Sequence, residues 1–305
     1  MKLWKKFGLG IGFAIVAGAI YLNQKYEVFA FHPFFGSDDA DLKVMTWNVH
    51  CPDGADSARQ QKIAELILQE DADFVLLNEF NQDSCQALDS MLRARYAYTE
   101  EYQSHRICGD IFYSKLILHN SGHPVLRDVW KSRFAKEGEE YPDSLKQYIY
   151  SSIKATLSVG ADSLFIVGCH LISNNGGGSG TVDNIDSLKL IDQKFDRYKE
   201  KQKRRTFDAK WLGELIMDNS HPAILMGDMN DFNCSAPLDT LVNAGLTDAW
   251  WEGGTGYGCT FHTGWMRLRI DHILHSDGLQ LTGVRVIPTD LSDHNPVVAC
   301  FKIKK

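Results

Sequence analysis

The chain has 305 residues, 44% hydrophobic and 23% charged, an ordinary globular composition with ample material for a core. A formal net charge of -7 argues against a protein that tracks long nucleic acid by positive charge alone, although a bound cation can offset acidic residues locally. Seven cysteines are scattered without a C-x-x-C pair, which excludes a zinc knuckle or thioredoxin-like motif and leaves no readable disulfide framework.

Lys2, Lys5 and Lys6 precede an uncharged apolar run from Phe7 to Leu22. This is the pattern of a membrane-addressing segment, slightly shorter than the ~20 residues of a comfortable span. The expectation is an N-terminal anchor over residues 1–24, with the lysines in the cytoplasm and the body on the exoplasmic or periplasmic side; secretion after cleavage is the alternative. Residues 25–41 form a linker, aromatic at first and then acidic, and one large domain occupies 42–305. Leu42–Val49 reads as a strand, Ala58–Gln69 as a helix, Phe74–Leu77 as a buried strand and Cys85–Arg95 as a second helix. Asp110–Ser114 and Tyr148–Leu157 read as strands, and Leu164–Cys169 as a buried strand. Cys169 and Cys300 lie in such runs and read as buried thiols. The glycine-rich stretch 173–180 is too flexible for regular structure and reads as a solvated linker or a substrate lid. Val182–Asn219 reads as one long or broken helix, whose basic run 199–205 is expected to be a solvated face. Ala223–Met226 is a buried strand, ended by a turn at Gly227. Pro237–Ala244 is a short helix, Leu268–Leu274 leads to the last segments and Val297–Ile303 is the terminal strand. The whole reads as an α/β domain.

Buried runs end, in order, at Asn48, Glu79, His170 and Asp228 with Asn230, while Asp293 and His294 immediately precede the last strand. Each has a bland reading as a cap, a surface acid or a satisfied imidazole. Delivered together to strand ends, where open α/β sheets bind ligands, they form a candidate site. Carboxylates and an amide without a thiolate cluster favour a hard cation, Mg²⁺ with Mn²⁺ as an alternative. A carboxylate can activate water, while Asn and His can donate to phosphate oxygens where charge develops. Neither a G-x-S-x-G elbow nor a phosphate-binding P-loop is present. Metal-assisted hydrolysis of a phosphate ester is therefore the reading; a catalytically inactive binding module is the alternative.

Thr46-Trp47-Asn48-Val49, Leu77-Asn78-Glu79, Cys169-His170-Leu171, Gly227-Asp228-Met229-Asn230, Arg269-Ile270-Asp271-His272 and Ser292-Asp293-His294-Asn295-Pro296-Val297 together resemble the endonuclease/exonuclease/phosphatase superfamily, with its deoxyribonuclease I-like and neutral sphingomyelinase-like branches. The resemblance runs from about Leu42 to the C-terminus. It implies a four-layer α/β/β/α sandwich of two facing mixed sheets with outer helices, here preceded by the N-terminal hydrophobic helix. It implies Glu79 as the principal metal ligand with Asn48 and Asp293, and Asp228 as the residue that orients or activates water. Asn230, His170 and His294 are implied as phosphate contacts, Asp271 as a supporting acid and Tyr113 as a supporting tyrosine. The implied partner is nucleic acid, a phospholipid head group or a small phosphoester, acted on by a monomer. Trp250, Trp251, Tyr257, Phe261 and Trp265 fall where specificity loops of the family lie, although core packing explains them equally simply.

Overall fold

The computed structural model describes residues 20–23, 29–32, 39–51, 56–103, 109–123, 152–174 and 187–305, with backbone only for 187–195. One six-stranded sheet runs, edge to edge, β15 (Leu279–Val286), β16 (Val297–Ile303), β2 (Leu42–Asn48), β3 (Phe74–Phe80), β5 (Gly109–Ser114) and β4 (Tyr98–Gln103). The second runs β10 (Thr247–Asp248), β14 (Asp271–His275), β9 (Ala223–Asp228), β8 (Asp162–His170), β7 (Ser152–Val159) and β6 (Leu118–Gly122). Each sheet is mixed, with one parallel pair at its centre: β2 with β3, and β8 with β9.

Alternation along these central strands makes the layers. Leu42, Val44, Phe74, Leu76, Leu164, Ile166, Ile224 and Met226 face the other sheet and form the inner core. The intervening Met45, Trp47, Val75 and Leu77 face α1 (Ser57–Glu70) and α2 (Gln86–Arg93). Phe165, Val167, Ala223 and Leu225 face α3 (Ser187–Met217) and α4 (Ala236–Asn243). Strands buried on both faces are apolar at successive positions, which is why they read as unbroken runs in the sequence. The result is the expected helix–sheet–sheet–helix sandwich. Among the described residues no helix is long and apolar enough to cross a membrane. Of the expected N-terminal hydrophobic helix only residues 20–23 are described, and they are helical; the rest of that segment lies outside the described residues, as does most of the glycine-rich stretch.

Several local readings need correction. The basic run on α3 is a solvated face only in part: Lys199, Glu200 and Lys203 are exposed, but Arg205 is fully buried and Lys201 and Arg204 nearly so. Gly227 does not end its strand in a turn but lies within β9. A Cβ there would fall 1.9 Å from the Cys169 carbonyl oxygen on the neighbouring strand, at a φ of 138°, so only glycine fits. Part of the expected linker docks on the domain: β1 (Ala30–Phe31) pairs with β11 (Thr255–Gly256). Cys51 and Cys85 form a disulfide that the spacing did not reveal, and Cys300 is only half-buried. The terminal hairpin strand β15 and the strands β4 and β6 are additional; their alternation is too polar or too short to stand out.

Candidate active site

The C-terminal ends of the four central parallel strands meet at one edge of the sandwich. Parallel register sets Asn48 beside Asn78 across β2–β3 and His170 beside Asp228 across β8–β9, while antiparallel β14 sets Asp271 beside Asp228. Asn78 stitches the two sheets together beneath the site. Its Nδ2 donates to Asp110 Oδ1 (2.8 Å) and to the Cys169 carbonyl (3.2 Å), and its Oδ1 accepts from the Asp228 backbone N–H (3.1 Å). A register shift between Leu77 and Phe80 leaves Glu79 at a φ of 52°. The bulge re-aims its carboxylate out of the ladder. His50 and Asn230 also adopt left-handed backbone, at 43° and 51°. Three such non-glycine residues at one edge are a concentration of strain of the kind that structures hold at functional sites.

Asp228, almost wholly buried, is the hub. Asn48 Nδ2 donates to its Oδ2 (3.0 Å) and to Glu79 Oε1 (3.1 Å), and the Asn230 backbone N–H donates to its Oδ1 (2.9 Å). His170 Nε2 lies 3.6 Å and His294 Nε2 3.8 Å from Asp228 Oδ2. Asp271 Oδ2 holds His294 through Nδ1 at 2.8 Å. His170 is also 3.8 Å from Glu79 Oε1, and His50 Nδ1 is 3.1 Å from Glu79 Oε2 and 4.0 Å from Asp293 Oδ1. Ser292 fixes the last loop: its Oγ donates to the Asn48 carbonyl (2.8 Å) and accepts from the His294 N–H (3.1 Å).

These neighbours set the protonation states. Burial by itself would raise the Glu79 carboxyl, but the His50 hydrogen bond, the His170 ring and the Asn48 amide outweigh it and hold it at about 2. Burial opposes charge on His294, yet Asp271 and Asp228 push its pKa up to about 10. His170 moves up as well, because Asp228, Asp110 and Glu79 overcome its desolvation. Burial and then the like charge of Asp271 raise Asp228. Asp110, buried near His170, rises to about 6 mainly through desolvation.

All the predicted residues except one converge here: Asn48, Glu79, His170, Asp228, Asn230, Asp271, Asp293 and His294. Tyr113 does not. Its side chain is buried between the sheet and the outer helices, donating to Asp89 Oδ1 at 2.6 Å. Strand alternation explains this, since Tyr113 points to the helix side of β5. Asn48 enters in an unexpected orientation. Its Oδ1 accepts from the His50 N–H (3.0 Å), which turns its nitrogen toward the carboxylates. Sequence reasoning missed His50, Asp110 and the stitching role of Asn78; His50 adjoins a quoted motif and Asn78 lies inside one, whereas nothing in the sequence singles out Asp110. It also missed Asp231. Asp231 is fully buried, and its Oδ2 accepts from Arg205 Nε at 2.9 Å. The same guanidinium donates through Nη1 to the Ile172 carbonyl (2.9 Å) and to Asn174 Oδ1 (3.1 Å), tying the loop after His170 to the loop after Asp228. Asn230 Nδ2 makes a second tie, to the Leu171 carbonyl (2.9 Å).

Two sets of donor atoms, Glu79–His170–Asp228 and Asp228–Asp271–His294, each lie within 4.8 Å of one another. Asp271 Oδ1 is buried without a hydrogen-bond partner. Closely spaced carboxylates with an unsatisfied buried acceptor fit a divalent cation.

Solved structures share this fold at low sequence identity. An endonuclease/exonuclease/phosphatase from Bacteroides vulgatus matches with a TM-score of 0.64 and 18% identity, over 86% of this chain and 99% of its own. TDP2 of D. rerio, complexed with a single strand DNA product, matches at 0.61 and 16%, covering 86% and 98%. The 3' phosphatase NExo from Neisseria, bound to a product DNA hairpin, matches at 0.59 and 18%, covering 86% and 99%. Comparison with curated proteins gives no match. The model of the Endonuclease/Exonuclease/phosphatase family matches residues 45–294, a span that contains every strand end of the site, and the chain belongs to that family.

Proposed function

We propose that the chain is a divalent-metal-dependent phosphodiesterase that hydrolyses its substrate by direct attack of water on phosphorus. The observation that carries this reading is the buried Asp228 carboxylate, flanked by the imidazoles of His170 and His294 at 3.6 and 3.8 Å with Glu79 alongside. Glu79 and Asp293 would hold the cation, Mg²⁺ or Mn²⁺, which when bound polarises the phosphoryl oxygen and offsets negative charge. Asp228 orients the attacking water and takes its proton; its raised pKa suits a base. His294, kept cationic, and His170 donate to the non-bridging oxygens, where charge accumulates as the water attacks. Asp271 holds the His294 ring so that Nε2 faces Asp228. Asn230 keeps one amide hydrogen for the phosphate while the other secures Leu171. Thiol chemistry has no support, since Cys169 is buried and its thiol is pushed further up.

Nucleic acid is the substrate class we favour. Two similar structures hold DNA products. In this chain Trp265, 90% exposed, stands on the hairpin of β12 (Phe261–Thr263) and β13 (Met266–Leu268). That hairpin is joined to the catalytic loop by the His262 N–H to the Asp293 carbonyl (2.8 Å), and its indole offers a stacking face. Phospholipid head groups are the rival, favoured by the basic-then-apolar N-terminus, which we propose tethers the enzyme with its body outside the cytoplasm. The Cys51–Cys85 disulfide supports that location. The test is a panel of duplex DNA, single-stranded DNA, RNA, sphingomyelin and bis-p-nitrophenyl phosphate, run with Mg²⁺, Mn²⁺ and EDTA. Hydrolysis that stops with EDTA and falls by orders of magnitude in Asp228→Ala is expected. Turnover indifferent to chelation sinks the metal assignment, and ligand binding without any turnover favours a binding module.

A further inference from the structure

We infer that Asn78 is a positioning residue for the reaction: its carboxamide locks the strand that carries Glu79 to the strand that carries Asp228, and so sets the separation of the two carboxylates. The inference rests on the metal-dependent reading above, in which Glu79 holds the cation and Asp228 activates the water. Those two groups stand on different sheets, Glu79 on β3 and Asp228 on β9. The apolar core between the sheets resists their separation but is non-directional, so it does not by itself fix how one sheet slides over the other. Directional bonds do. Among the described residues three hydrogen bonds join β2 and β3 to β8 and β9, and Asn78 makes two of them. The third comes from Asn48, whose Nδ2 is bonded to both reacting carboxylates and is therefore open to competition from cation and water. The Asn78 side chain bonds instead to Asp110 and to two backbone groups, none of them a reacting group, so its bonds persist whatever the site binds.

A bulge delivers this amide. Leu77 pairs with Ile111 and Phe80 with Gly109, so Asn78 and Glu79 together face Asp110 alone. Leu76 and Asn78 point between the sheets, and the extra residue turns Glu79 to the site and returns Phe80 to the helix side. Glycines let the sheets and strands close around it. A Cβ on Gly168 would fall 2.6 Å from the Phe112 ring, and one on Gly227 1.9 Å from the Cys169 carbonyl oxygen that Asn78 bonds. The fully buried amide has one orientation open to it. The Asp228 N–H can only donate and the Cys169 carbonyl can only accept, so Oδ1 must face the first and Nδ2 the second. Asp110 Oδ1 takes the remaining amide hydrogen at 2.8 Å.

The test uses the full-length protein with bis-p-nitrophenyl phosphate and Mn²⁺ or Mg²⁺, reading kcat and KM beside cation affinity from calorimetry. Asn78→Ala frees the sheets to slide, and a misplacement of about 1 Å should lower kcat about 100-fold, with KM changing less. Cation affinity should stay within about threefold, because Glu79 and Asp293 both belong to the first sheet and its loop. Asn78→Asp keeps an acceptor for the Asp228 N–H but sets two carboxylates together. Adding Asp110→Asn restores an amide–carboxylate pair with the roles exchanged, and should regain about tenfold or more of the kcat lost in Asn78→Asp. Circular dichroism and thermal unfolding check each variant, and assays are run well below its unfolding midpoint. If Asn78→Ala does not fold, the exchanged pair carries the test. A folded Asn78→Ala with kcat within about threefold of the unaltered chain overturns the inference. So does a loss that cooling removes, a parallel loss of cation affinity, or an exchanged pair no more active than Asn78→Asp. Turnover by the unaltered chain that is indifferent to EDTA overturns the metal-dependent reading instead, whatever the Asn78 variants do.

Discussion

Asp271 and His294 show how much a single partner sets at the residue scale. The ring is raised to about 10 by carboxylates that crowd it, against the opposing effect of its own burial. Asp271→Asn removes the nearer charge, so the His294 pKa should drop toward the ordinary value of about 6.5, read by NMR of the imidazole nitrogens in the metal-free protein. The sign for stability follows from the raised folded value. The stabilisation is fully present below the unfolded pKa and is lost as pH rises through about 10, so alkaline destabilisation should be steeper in the unaltered chain than in Asp271→Asn. Gly227 is constrained by space rather than charge. Gly227→Ala puts a Cβ into the Cys169 carbonyl and should destabilise the fold by at least the ~1–3 kcal/mol of ordinary overpacking, measured by denaturant unfolding.

Element by element, α3 acts as a clasp. A fully buried Arg205 reaches Asp231, Ile172 and Asn174 on two separate loops, and Lys201 adds the Asn174 carbonyl (3.0 Å). Arg205→Met leaves the Asp231 carboxylate buried and unpaired, for which about 3–5 kcal/mol of destabilisation is expected. Pairing that change with Asp231→Leu should recover a substantial part of the loss in thermal unfolding, because no buried charge is then stranded. A second clasp holds the other side of the site. Asp248 caps α5 (Ala249–Gly253), and its Oδ2 lies 2.8 Å from both Arg269 Nη1 and His272 Nδ1. Burial alone would raise the Asp248 carboxyl, but Arg269 and then His272 hold it well below the usual carboxylate range. A depressed folded value means stabilisation that is present above the unfolded pKa of about 4 and lost as pH falls below it. Acid unfolding should therefore be less steep in Asp248→Asn.

At the scale of the whole molecule, the disulfide joins the loop just after Asn48 to the start of α2 across a sequence separation of 34, with Glu79 inside the closed segment. Replacing both cysteines by serine should cost about 3–4 kcal/mol by loop-closure entropy, seen as a lower unfolding midpoint that reducing agent no longer shifts. The sequence by itself announced the central strands and the polar residues at their ends; the layers followed from its family resemblance. Apolar runs buried on both faces announce central strands, and the motifs at their ends carry Asn48, Glu79, His170, Asp228, Asn230, Asp271, Asp293 and His294. Both signals are local, since they depend on which residues follow one another along a strand. What only the tertiary structure decided depends on which segments meet. Tyr113 turns from the site because alternation on β5 points it to the helices. Lys201 and Arg205 in the basic run of α3 are buried because two loops from the second sheet present carbonyls and a carboxylate to them. His50 faces Glu79 because a bulge in β3 turns that carboxylate toward the end of β2, a pairing between segments that neither segment's own sequence encodes.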